Sequence, residues 1–204
     1  MRLENKIAIV TGAGGGFGEG IAKLFAEEGA KVCVADIRAD QAERVASEIG
    51  NAAVAAAGDV STTAGIEAIV SATRDAFGEA DIVVNNAGVT HRNQPMLEVD
   101  EETFDEIYAV NVKSLFLMAK ATVPAMRAKG GGSIINIGST AGLRPRPGLV
   151  WYNGSKGAAN VISKSMAVEL APDNIRVNAI CPVMGETGLL EHFMGVPDTP
   201  ENRA

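Results

Sequence analysis

The sequence is poor in aromatic residues, in cationic residues and in long apolar runs, and each shortage excludes a class of protein. Aromatic residues make up only 4% of the chain, and the formal net charge is −7. Such a protein lacks the clustered Lys and Arg that general binding to nucleic acid or to an anionic membrane requires. No apolar run approaches the roughly 20 residues that span a bilayer, and the N-terminus lacks the apolar stretch of a signal peptide. We therefore expect a soluble, cytoplasmic protein that binds neither nucleic acid nor a membrane.

Cysteine and histidine are also scarce, with two of each. Cys33 and Cys181 both belong to apolar runs, so we expect two buried, reduced thiols. His91 and His192 are isolated among polar, loop-like neighbours, and we expect both on the surface. A zinc site or a catalytic cysteine needs more such residues at close spacing. The sequence therefore predicts no metal centre and no thiol nucleophile.

Apolar residues, in contrast, make up 47% of the 204 residues and recur in a regular order. Short apolar runs alternate with longer amphipathic segments, which is typical of parallel strands covered on both faces by helices. The predicted strands are 7–10, 32–35, 52–57, 82–84, 134–137 and 175–180, and the clearest helical stripes are Phe17, Ile21, Leu24, Phe25 and Phe104, Ile107, Tyr108, Leu115, Phe116. Repeated βαβ units predict an α/β fold with a doubly wound, Rossmann-like parallel sheet of six strands, in a single domain over residues 1–204.

A glycine-rich turn connects the first predicted strand to the first predicted helix, with the sequence Thr11-Gly12-Ala13-Gly14-Gly15-Gly16-Phe17-Gly18. Glycines at such a turn let backbone N–H groups approach a pyrophosphate at the helix N-terminus. The spacing of Gly12, Gly16 and Gly18 is a variant of the dinucleotide-binding fingerprint. Any tight strand-to-helix turn could use such a run. The strand before it, the helix after it and an acid at the end of the next strand favour a dinucleotide.

Asp36 is that acid, eighteen positions beyond Gly18. A carboxylate there can accept hydrogen bonds from the adenosine ribose hydroxyls. It would also repel a 2′-phosphate, so we expect NAD rather than NADP. Two alternatives stay open: Arg38 could turn toward a phosphate, and Asp36 could simply cap the following helix.

Further motifs follow in order: Asp59-Val60, Asn85-Asn86-Ala87-Gly88, Asn111, Ser139, and Tyr152 with Lys156 in Tyr-x-x-x-Lys. With the glycine-rich turn, they make the chain resemble the single-domain short-chain dehydrogenase/reductase family from about residue 3 to the end. The resemblance implies hydride transfer between a nicotinamide cofactor and an alcohol or carbonyl substrate. It implies the catalytic residues Asn111, Ser139, Tyr152 and Lys156. The cofactor-binding residues that it implies, together with the glycine-rich turn, are Gly12, Gly14, Gly15, Gly16, Phe17, Gly18, Asp36, Ile37, Asp59, Val60, Asn86, Ala87, Gly88, Tyr152, Lys156, Pro182, Val183, Gly185 and Thr187.

The chemistry of the catalytic residues supports this resemblance. Tyr152 and Lys156 are four residues apart on a helical segment, so both side chains emerge on one face. A free tyrosine has a pKa of about 10, and a nearby ammonium should lower it toward the working range. Ser139 follows the fifth strand, at the edge where parallel sheets bind ligands. Its hydroxyl can hold the substrate oxygen while Tyr152 gives or takes the proton.

Asn111 falls on the inward stripe of its helix, between Tyr108 and Leu115. A buried amide must be hydrogen-bonded. It could therefore be a satisfied core asparagine bound to a backbone group. The family resemblance adds a second role, in which a bound water links Asn111 to Lys156 and carries protons between solvent and Tyr152.

The loop after the sixth strand departs from the family pattern. Family members usually have a glycine directly after the proline and a threonine five positions past it, whereas this run is Pro182-Val183-Met184-Gly185-Glu186-Thr187. If the usual glycine needs a positive φ, Val183 would be strained and the loop would follow a different path. Thr187 keeps the position expected to contact the nicotinamide carboxamide.

Family members also usually continue with a helix and a seventh strand, which this sequence lacks. We expect strand 175–180 to be an exposed apolar edge that a longer natural chain or a partner chain completes. Without that completion, these 204 residues should be weakly stable or poorly soluble. The helices that carry Asn111 and Tyr152 are further packing surfaces, so we expect a homo-oligomer, either a dimer or a tetramer.

The substrate is the least determined feature. Residues 90–96 and 142–151 should line its pocket, where Arg144 and Arg146 could attract an anionic substrate or an acyl carrier protein, or could be solvated loop charges. By overall similarity the chain resembles 3-oxoacyl carrier-protein reductases and sugar or polyol dehydrogenases, with the reductases as the first interpretation. A non-catalytic dinucleotide-binding protein is the alternative from another class, although it would not need Ser139, Tyr152 and Lys156 together.

Overall fold

Six parallel strands form one sheet in the computed structural model, which describes residues 1–183, 185, 190–197, 199 and 201–202. The strands are β1 (Ile7–Thr11), β2 (Lys31–Asp36), β3 (Ala53–Ala57), β4 (Ile82–Asn85), β5 (Gly132–Ile137) and β6 (Ile175–Ile180). Their order across the sheet is β3-β2-β1-β4-β5-β6. All six predicted strands are present, and the doubly wound parallel sheet is confirmed.

Helices connect the parallel strands, as expected of βαβ units. They are α1 (Gly16–Glu27), α2 (Ala39–Ile49), α3 (Thr63–Phe77), α4 (Glu101–Tyr108), α5 (Ser114–Ala128), α6 (Val150–Leu170) and α7 (Leu190–Met194). Side chains cap two of them, because Thr62 accepts from Gly65 N–H before α3 and Asp100 accepts from Thr103 N–H before α4. Within the described ranges, no helix is long and apolar enough to cross a membrane.

The strand order reverses direction between β1 and β4. The chain moves outward from β1 through β2 to β3, then returns to the other side of β1 and moves outward again through β4, β5 and β6. The residues Ile9 and Val83 are partners in the central pair of strands. Such a reversal leaves a crevice at the carboxyl ends of the two central strands, where open α/β sheets bind their ligands.

The core consists of two apolar layers, one on each face of the sheet. Ile9 and Cys33 pack into one layer, whereas their neighbours Val10 and Val32 pack into the other. This alternation follows from the two-residue period of a strand. Because both layers are covered by helices, continuous apolar runs such as Ile7–Thr11 are buried on both sides.

Strand β6 is different, because among the described residues it pairs with β5 alone and forms an edge of the sheet. Ile175 and Val177 are buried, whereas Arg176 and Asn178 are exposed and Ile180 is 50% exposed. The sequence predicted an apolar strand at this edge. The structure shows a half-buried strand, in which the polar residues alternate with the core residues.

The helical stripes predicted from the sequence needed two corrections. Leu24 is 48% exposed and Phe17 is 44% exposed, and only Ile21 and Phe25 of their stripe pack on the core. Phe116 is 58% exposed, although it follows the inward stripe of α4 in the sequence. The reason is a π-helical segment, Ala109–Lys113, which joins α4 to α5 and changes the direction in which later side chains point.

Candidate active site

A cleft of about 760 Å³ opens at the carboxyl edge of the sheet, at the reversal between β1 and β4. Segments that follow all six strands contribute to it. Its described lining residues are Gly12, Gly14, Gly15, Gly16, Phe17, Asp36, Ile37, Arg38, Gln41, Arg44, Gly58, Asp59, Val60, Asn86, Ala87, Gly88, Val89, Glu106, Val110, Ile137, Gly138, Ser139, Tyr152, Lys156, Pro182, Val183, Gly185 and Phe193. The cleft thus brings together most of the predicted site residues, and its volume suits a ligand of dinucleotide size.

The glycine-rich turn takes a shape that only glycine allows at several positions. Gly12 and Gly16 have φ values of 61° and 56°, in the left-handed region. A β-carbon on Gly14 would lie 2.8 Å from Asp36 Oδ2, and one on Gly18 would overlap the Gly12 carbonyl oxygen. Gly18 is buried behind the turn and does not line the cleft. It allows α1 to begin directly against the strand that precedes it.

Asn86 holds the same turn from the neighbouring strand. Its side-chain amide donates to the carbonyl oxygens of Thr11 at 2.8 Å and Gly12 at 3.1 Å, and its backbone N–H donates to Thr11 Oγ1 at 3.0 Å. Ala87 N–H also donates to Thr11 Oγ1, at 3.1 Å. These bonds fix the ends of β1 and β4 to each other. The floor of the cleft is therefore preorganised before any ligand arrives.

Asp36 lies at the end of β2 and is 7% exposed. Its Oδ2 accepts from Gly14 N–H at 2.9 Å, and its Oδ1 accepts from Arg38 N–H at 3.0 Å. The Arg38 guanidinium contacts the same Oδ1 at 3.4 Å but is largely exposed. The carboxylate thus connects the glycine-rich turn to the segment before α2 and lines the cleft. It does not cap α2, because the N-cap residue is Arg38 and no side chain accepts a capping hydrogen bond there.

Ser139, Tyr152 and Lys156 meet at the opposite end of the cleft, and each is 5% exposed. Ser139 follows β5, and its Oγ accepts from Ala141 N–H at 3.0 Å. Its hydroxyl also interacts with the phenol of Tyr152 in a way that favours the ionised form and so lowers the pKa of Tyr152. Tyr152 and Lys156 are one turn apart on α6, and Lys156 Nζ donates to the carbonyl oxygen of Ile137 at 2.8 Å. The structure therefore brings these three side chains together in the cleft, as the sequence predicted.

The pKa values differ from the expectation for this group. Burial raises the pKa of Tyr152, and the interaction with Ser139 offsets only part of that rise. Burial also lowers the pKa of Lys156 to about 8, with an opposing effect of Cys181. The sequence predicted that the lysine would lower the pKa of the tyrosine. The net change in the pKa of Tyr152 is upward instead, because burial has a larger effect than the interaction with Ser139 that lowers it.

Asn111 lies inside the π-helical segment and is 2% exposed. Its Oδ1 accepts from Val89 N–H at 2.9 Å, and its Nδ2 donates to Val89 O at 2.9 Å and to Ser155 Oγ at 3.0 Å. It is therefore a satisfied core asparagine, and it does not line the cleft. A β-carbon on Gly88 would lie 3.2 Å from both Asn111 Oδ1 and Lys156 Nζ. The two polar groups thus face one small space beside Gly88.

The structure of the loop after β6 shows why its glycine stands at position 185 and not at position 183. Val183 has no positive φ, so valine is unstrained at the position where the family usually has glycine. A β-carbon on Gly185 would overlap the ring of Phe17, so the loop can pass this close to Phe17 only with glycine at position 185. Pro182, Val183 and Gly185 all line the cleft. Thr187, predicted to contact the carboxamide, lies outside the described residues.

Two predictions about single residues were wrong. His91 is not on the surface: it is 4% exposed, its Nδ1 is 2.8 Å from Arg92 O, and its Nε2 has no hydrogen-bond partner among the described residues. The loop that carries it is bonded to segments distant in sequence, since Asn93 N–H donates to His192 O and Gln94 N–H donates to Gly148 O. Cys181 is only half-buried, just past the end of β6, and its thiol donates to Asn160 Oδ1 at 3.3 Å. Cys33 is buried and His192 is exposed, as predicted, and no group of described His, Cys, Asp or Glu residues could hold a metal ion.

Several residues of the site gave no recognisable signal in the sequence. Arg44, on α2, donates to Gly14 O at 3.1 Å and to Glu19 Oε2 at 2.8 Å. Together with Lys23 it lowers the pKa of Glu19 to about 2. Phe193, on α7, lines the cleft and packs against Tyr152, with ring centroids 5.2 Å apart. Both act across large sequence separations. The only sequence signal for Phe193 was that a large apolar residue stood in the segment predicted to be a loop.

The chain belongs to the short chain dehydrogenase family, whose sequence pattern matches residues 6–194. A 4-formylbenzenesulfonate dehydrogenase of Comamonas testosteroni, TsaC1/TsaC2, is 46% identical over 206 residues, which cover 100% of this chain and 82% of that protein. A galactitol 2-dehydrogenase of Agrobacterium fabrum is 42% identical over 89% of this chain and 71% of its own length.

A solved structure of a 3-ketoacyl-(acyl-carrier-protein) reductase from Brucella melitensis, complexed with NADH, has the same architecture. It is 49% identical and superimposes with a TM-score of 0.93, over 94% of this chain and 81% of that chain. This protein is therefore an oxidoreductase of the short-chain type that uses a nicotinamide cofactor and acts on an alcohol or carbonyl group. The fold and the family predicted from the sequence are both confirmed.

Proposed function

We propose that this protein interconverts an alcohol and the corresponding carbonyl compound with Tyr152 as the acid–base residue. The observation that carries the proposal is the buried group of Ser139, Tyr152 and Lys156 at one end of the cleft. Ser139 and Tyr152 both line this end of the cleft, so their two hydroxyls can hold a substrate oxygen between them. The substrate oxygen would thus lie next to the Tyr152 hydroxyl as proton donor, and the buried ammonium of Lys156 would lie one helical turn away.

The proton and the hydride leave the alcohol by different routes. In oxidation, the Tyr152 phenolate accepts the hydroxyl proton as the carbon–oxygen double bond forms, and Ser139 holds the oxygen. In reduction, the phenol returns that proton to the oxygen. A bound nicotinamide dinucleotide supplies or accepts the hydride. The residues that would hold it are the glycine-rich turn, Asp36, Asp59-Val60 and Asn86 to Gly88. Glycine at position 14 fits this role, because a β-carbon there would lie 2.8 Å from Asp36 Oδ2 and fill the approach to the carboxylate.

Lys156 and Asn111 support the tyrosine in this proposal. The Lys156 ammonium stabilises the phenolate and donates to Ile137 O. Asn111 positions the segment at Val89 through two hydrogen bonds. The space beside Gly88, which both polar groups face, would hold the water that carries the proton onward. Exchange of that proton with solvent restores Tyr152 after each turnover.

We propose NAD(H) as the preferred cofactor. The Asp36 carboxylate is held by Gly14 N–H and Arg38 N–H, so it cannot easily swing away from a 2′-phosphate. Like-charge repulsion would then weaken NADPH relative to NADH. The contact between the Arg38 guanidinium and Asp36 supports this preference further. The positive charge of Arg38 is already partly neutralised by the carboxylate and would attract a 2′-phosphate less.

Homo-oligomerisation and a 3-oxoacyl-type substrate complete the proposal, with polyols as the alternative substrate. Exposed apolar residues on α5 and α6, including Phe116, Val161 and Val168, support an association surface. The assembly is checked by light scattering after gel filtration. A monomer at micromolar concentration would remove this part of the proposal and leave the chemistry intact.

The experiment that tests the chemistry is NADH oxidation with a panel of ketones, ketoacyl thioesters and keto sugars. We expect turnover with at least one class in the parent protein and none in Tyr152→Phe. NADH binding without turnover of any substrate would favour the alternative, a dinucleotide-binding protein without catalysis. The same assay with NADPH measures the cofactor preference.

A further inference from the structure

The described residues that line the cleft next to Tyr152, after β6 and on α7, are apolar. Phe193 packs against the buried cluster of Ala141, Leu149 and Tyr152, and its ring meets that of Tyr152 at 61°. The described lining residues after β6 and on α7, which are Pro182, Val183, Gly185 and Phe193, have no polar side-chain atom. A substituent beside the reacting carbon would therefore contact hydrocarbon there.

Helix α7 cannot hold Phe193 in place without help from elsewhere. A helix of five residues forms little by itself in water, because nucleation is unfavourable and too few hydrogen bonds follow. Its last carbonyl groups also lack partners within the helix. Its position must depend on contacts with other segments.

Arg92 and Asn93 supply these contacts. Asn93 N–H donates to His192 O at 2.9 Å, and Asn93 Nδ2 donates to Phe193 O at 3.3 Å. The Arg92 guanidinium donates to Gly195 O at 3.1 Å through Nε and at 2.7 Å through Nη2. Three carbonyl groups at and just after the end of α7, those of His192, Phe193 and Gly195, thus accept hydrogen bonds from two adjacent residues of another loop.

The packing around Asn93 shows that this arrangement is tightly fitted. A β-carbon on Gly148 would overlap Asn93 Oδ1, and one on Gly195 would lie 3.1 Å from Asn93 O. Both glycines have positive φ, at 78° and 72°. Asn93 Nδ2 also lies 3.4 Å from Pro147 O, so one side chain joins α7 to the loop before α6.

We infer that Phe193, capped in place by Arg92 and Asn93, selects substrates that carry a flat, apolar substituent beside the carbonyl, such as an aryl group, over polyhydroxylated substrates. Polyol hydroxyls buried against this wall would lose water without gaining a partner, which costs free energy for each hydroxyl. Phe193 is the specificity-determining residue, and Arg92 and Asn93 are positioning residues. This inference rests on the proposed function, because it assumes that Ser139 and Tyr152 hold the carbonyl oxygen.

The kinetic test compares 1-phenylethanol with galactitol as substrates for oxidation. We expect the parent protein to prefer the aryl alcohol in kcat/KM by at least about tenfold, from the burial of one apolar group. Phe193→Ala should lower kcat/KM for 1-phenylethanol by about tenfold, chiefly through KM, and change galactitol turnover less than threefold. A preference of the parent for galactitol, or an equal loss for both substrates, would overturn the inference.

Asn93→Asp tests the positioning residues, because it keeps the shape of the side chain and removes the donor to Phe193 O. We expect it to raise KM for the aryl alcohol with little change in kcat or in the affinity for NADH. Asn51→Asp makes the same change in an exposed turn and should leave all three unchanged. For Arg92→Ala, the matched control is Arg74→Ala on α3. A normal KM in both Asn93→Asp and Arg92→Ala would exclude their positioning role.

A binding measurement separates failure of this inference from failure of the proposed chemistry. Acetophenone is titrated calorimetrically into Tyr152→Phe saturated with NADH, with and without Phe193→Ala. We expect the second substitution to weaken acetophenone binding about tenfold. If the parent turns over no substrate while this difference persists, the proposed chemistry fails and the inference stands. If turnover is present and the affinities are equal, the inference fails alone.

Discussion

The ammonium nitrogen of Lys156 lies 6.0 Å from the centre of the Tyr152 ring, on the next turn of the same helix. It is fixed there by the hydrogen bond to the Ile137 carbonyl, at the end of β5. The lysine is therefore a stationary charge, held between helix and sheet, and its effect on the phenol can be tested by substitution.

Tyr152→Phe removes the proton donor and keeps the ring that packs against Phe193. We expect kcat to fall by a factor of about 10³, within the usual contribution of general acid–base catalysis. The dissociation constant for NADH, measured by fluorescence titration, should stay within about twofold, since the hydroxyl is the only group lost. Tyr108→Phe, on α4, is the matched control and should retain full activity. Turnover within a few-fold of the parent would exclude Tyr152 from proton transfer.

Lys156→Met removes the charge and keeps the length of the side chain. Burial already raises the pKa of Tyr152, and loss of the neighbouring cation should raise it further. Alcohol oxidation requires the phenolate, so the rising limb of kcat/KM against pH should move to higher pH. Lys156→Arg keeps the charge and should move the limb less. A shift to lower pH in Lys156→Met would contradict this assignment of the cation.

The same lysine affects stability, in a direction that follows from its pKa. Burial lowers that pKa to about 8, below the value of about 10.4 in an unfolded chain. Between these values the unfolded state binds the additional proton, so stability should rise with pH across this window. Below it, the buried ammonium destabilises the fold. The difference in unfolding free energy between the parent and Lys156→Met, measured in urea from pH 7 to 10, should therefore change in favour of the parent.

Asp36→Ala should alter the choice of cofactor. It removes the carboxylate that would bind the ribose hydroxyls, so NADH affinity should fall by about tenfold, the typical loss for hydrogen bonds to a charged group. NADPH should be affected less or should gain affinity, because the repulsion is gone. Asp40→Ala, an exposed carboxylate at the start of α2, provides the control. Tighter binding of NADPH than NADH in the parent would mean that Arg38 determines the preference.

Gly18→Ala and Gly20→Ala form a matched pair in α1. A β-carbon at position 18 would overlap Gly12 O and lie 2.5 Å from Asn86 Nδ2, whereas nothing lies within 4 Å of one at position 20. We expect the first variant to lose about 1–3 kcal/mol of stability through overpacking and to bind NADH poorly. The second should gain roughly 0.5–1 kcal/mol, from better helix propensity. Equal effects in denaturant unfolding would show that the turn is not closely packed.

The fold could be predicted from the sequence because its signals are local and repeated. Each buried strand is a continuous apolar run, and the turn after β1 is marked by its glycines. Asp36 could be placed because its distance from Gly18 along the chain follows from one βαβ unit. Tyr152 and Lys156 could be paired because a helical turn alone fixes their separation.

The remainder depends on contacts between distant segments. His91 has polar neighbours in the sequence and is nevertheless buried, in a loop that is bonded to segments distant in sequence. No local pattern marks the cap that Asn93 provides for α7, about 100 residues later. The raised pKa of Tyr152 also could not be predicted. Burial raises it and the interaction with Ser139 lowers it, and only the packing determines which effect is larger.

The π-helical segment Ala109–Lys113 has a consequence for how this region tolerates changes in length. A π turn contains one residue more than an α turn, so it behaves as a single-residue insertion within one long helix. Deleting one residue here would restore an ordinary α turn and leave α5 in nearly its present direction, because the wide turn accommodates one extra residue. The apolar face of α5 would stay on the sheet, whereas the Asn111 amide would lose its place against Val89 and Ser155. The position of this amide therefore depends on the length of the chain between Tyr108 and Ser114 as well as on residue identity.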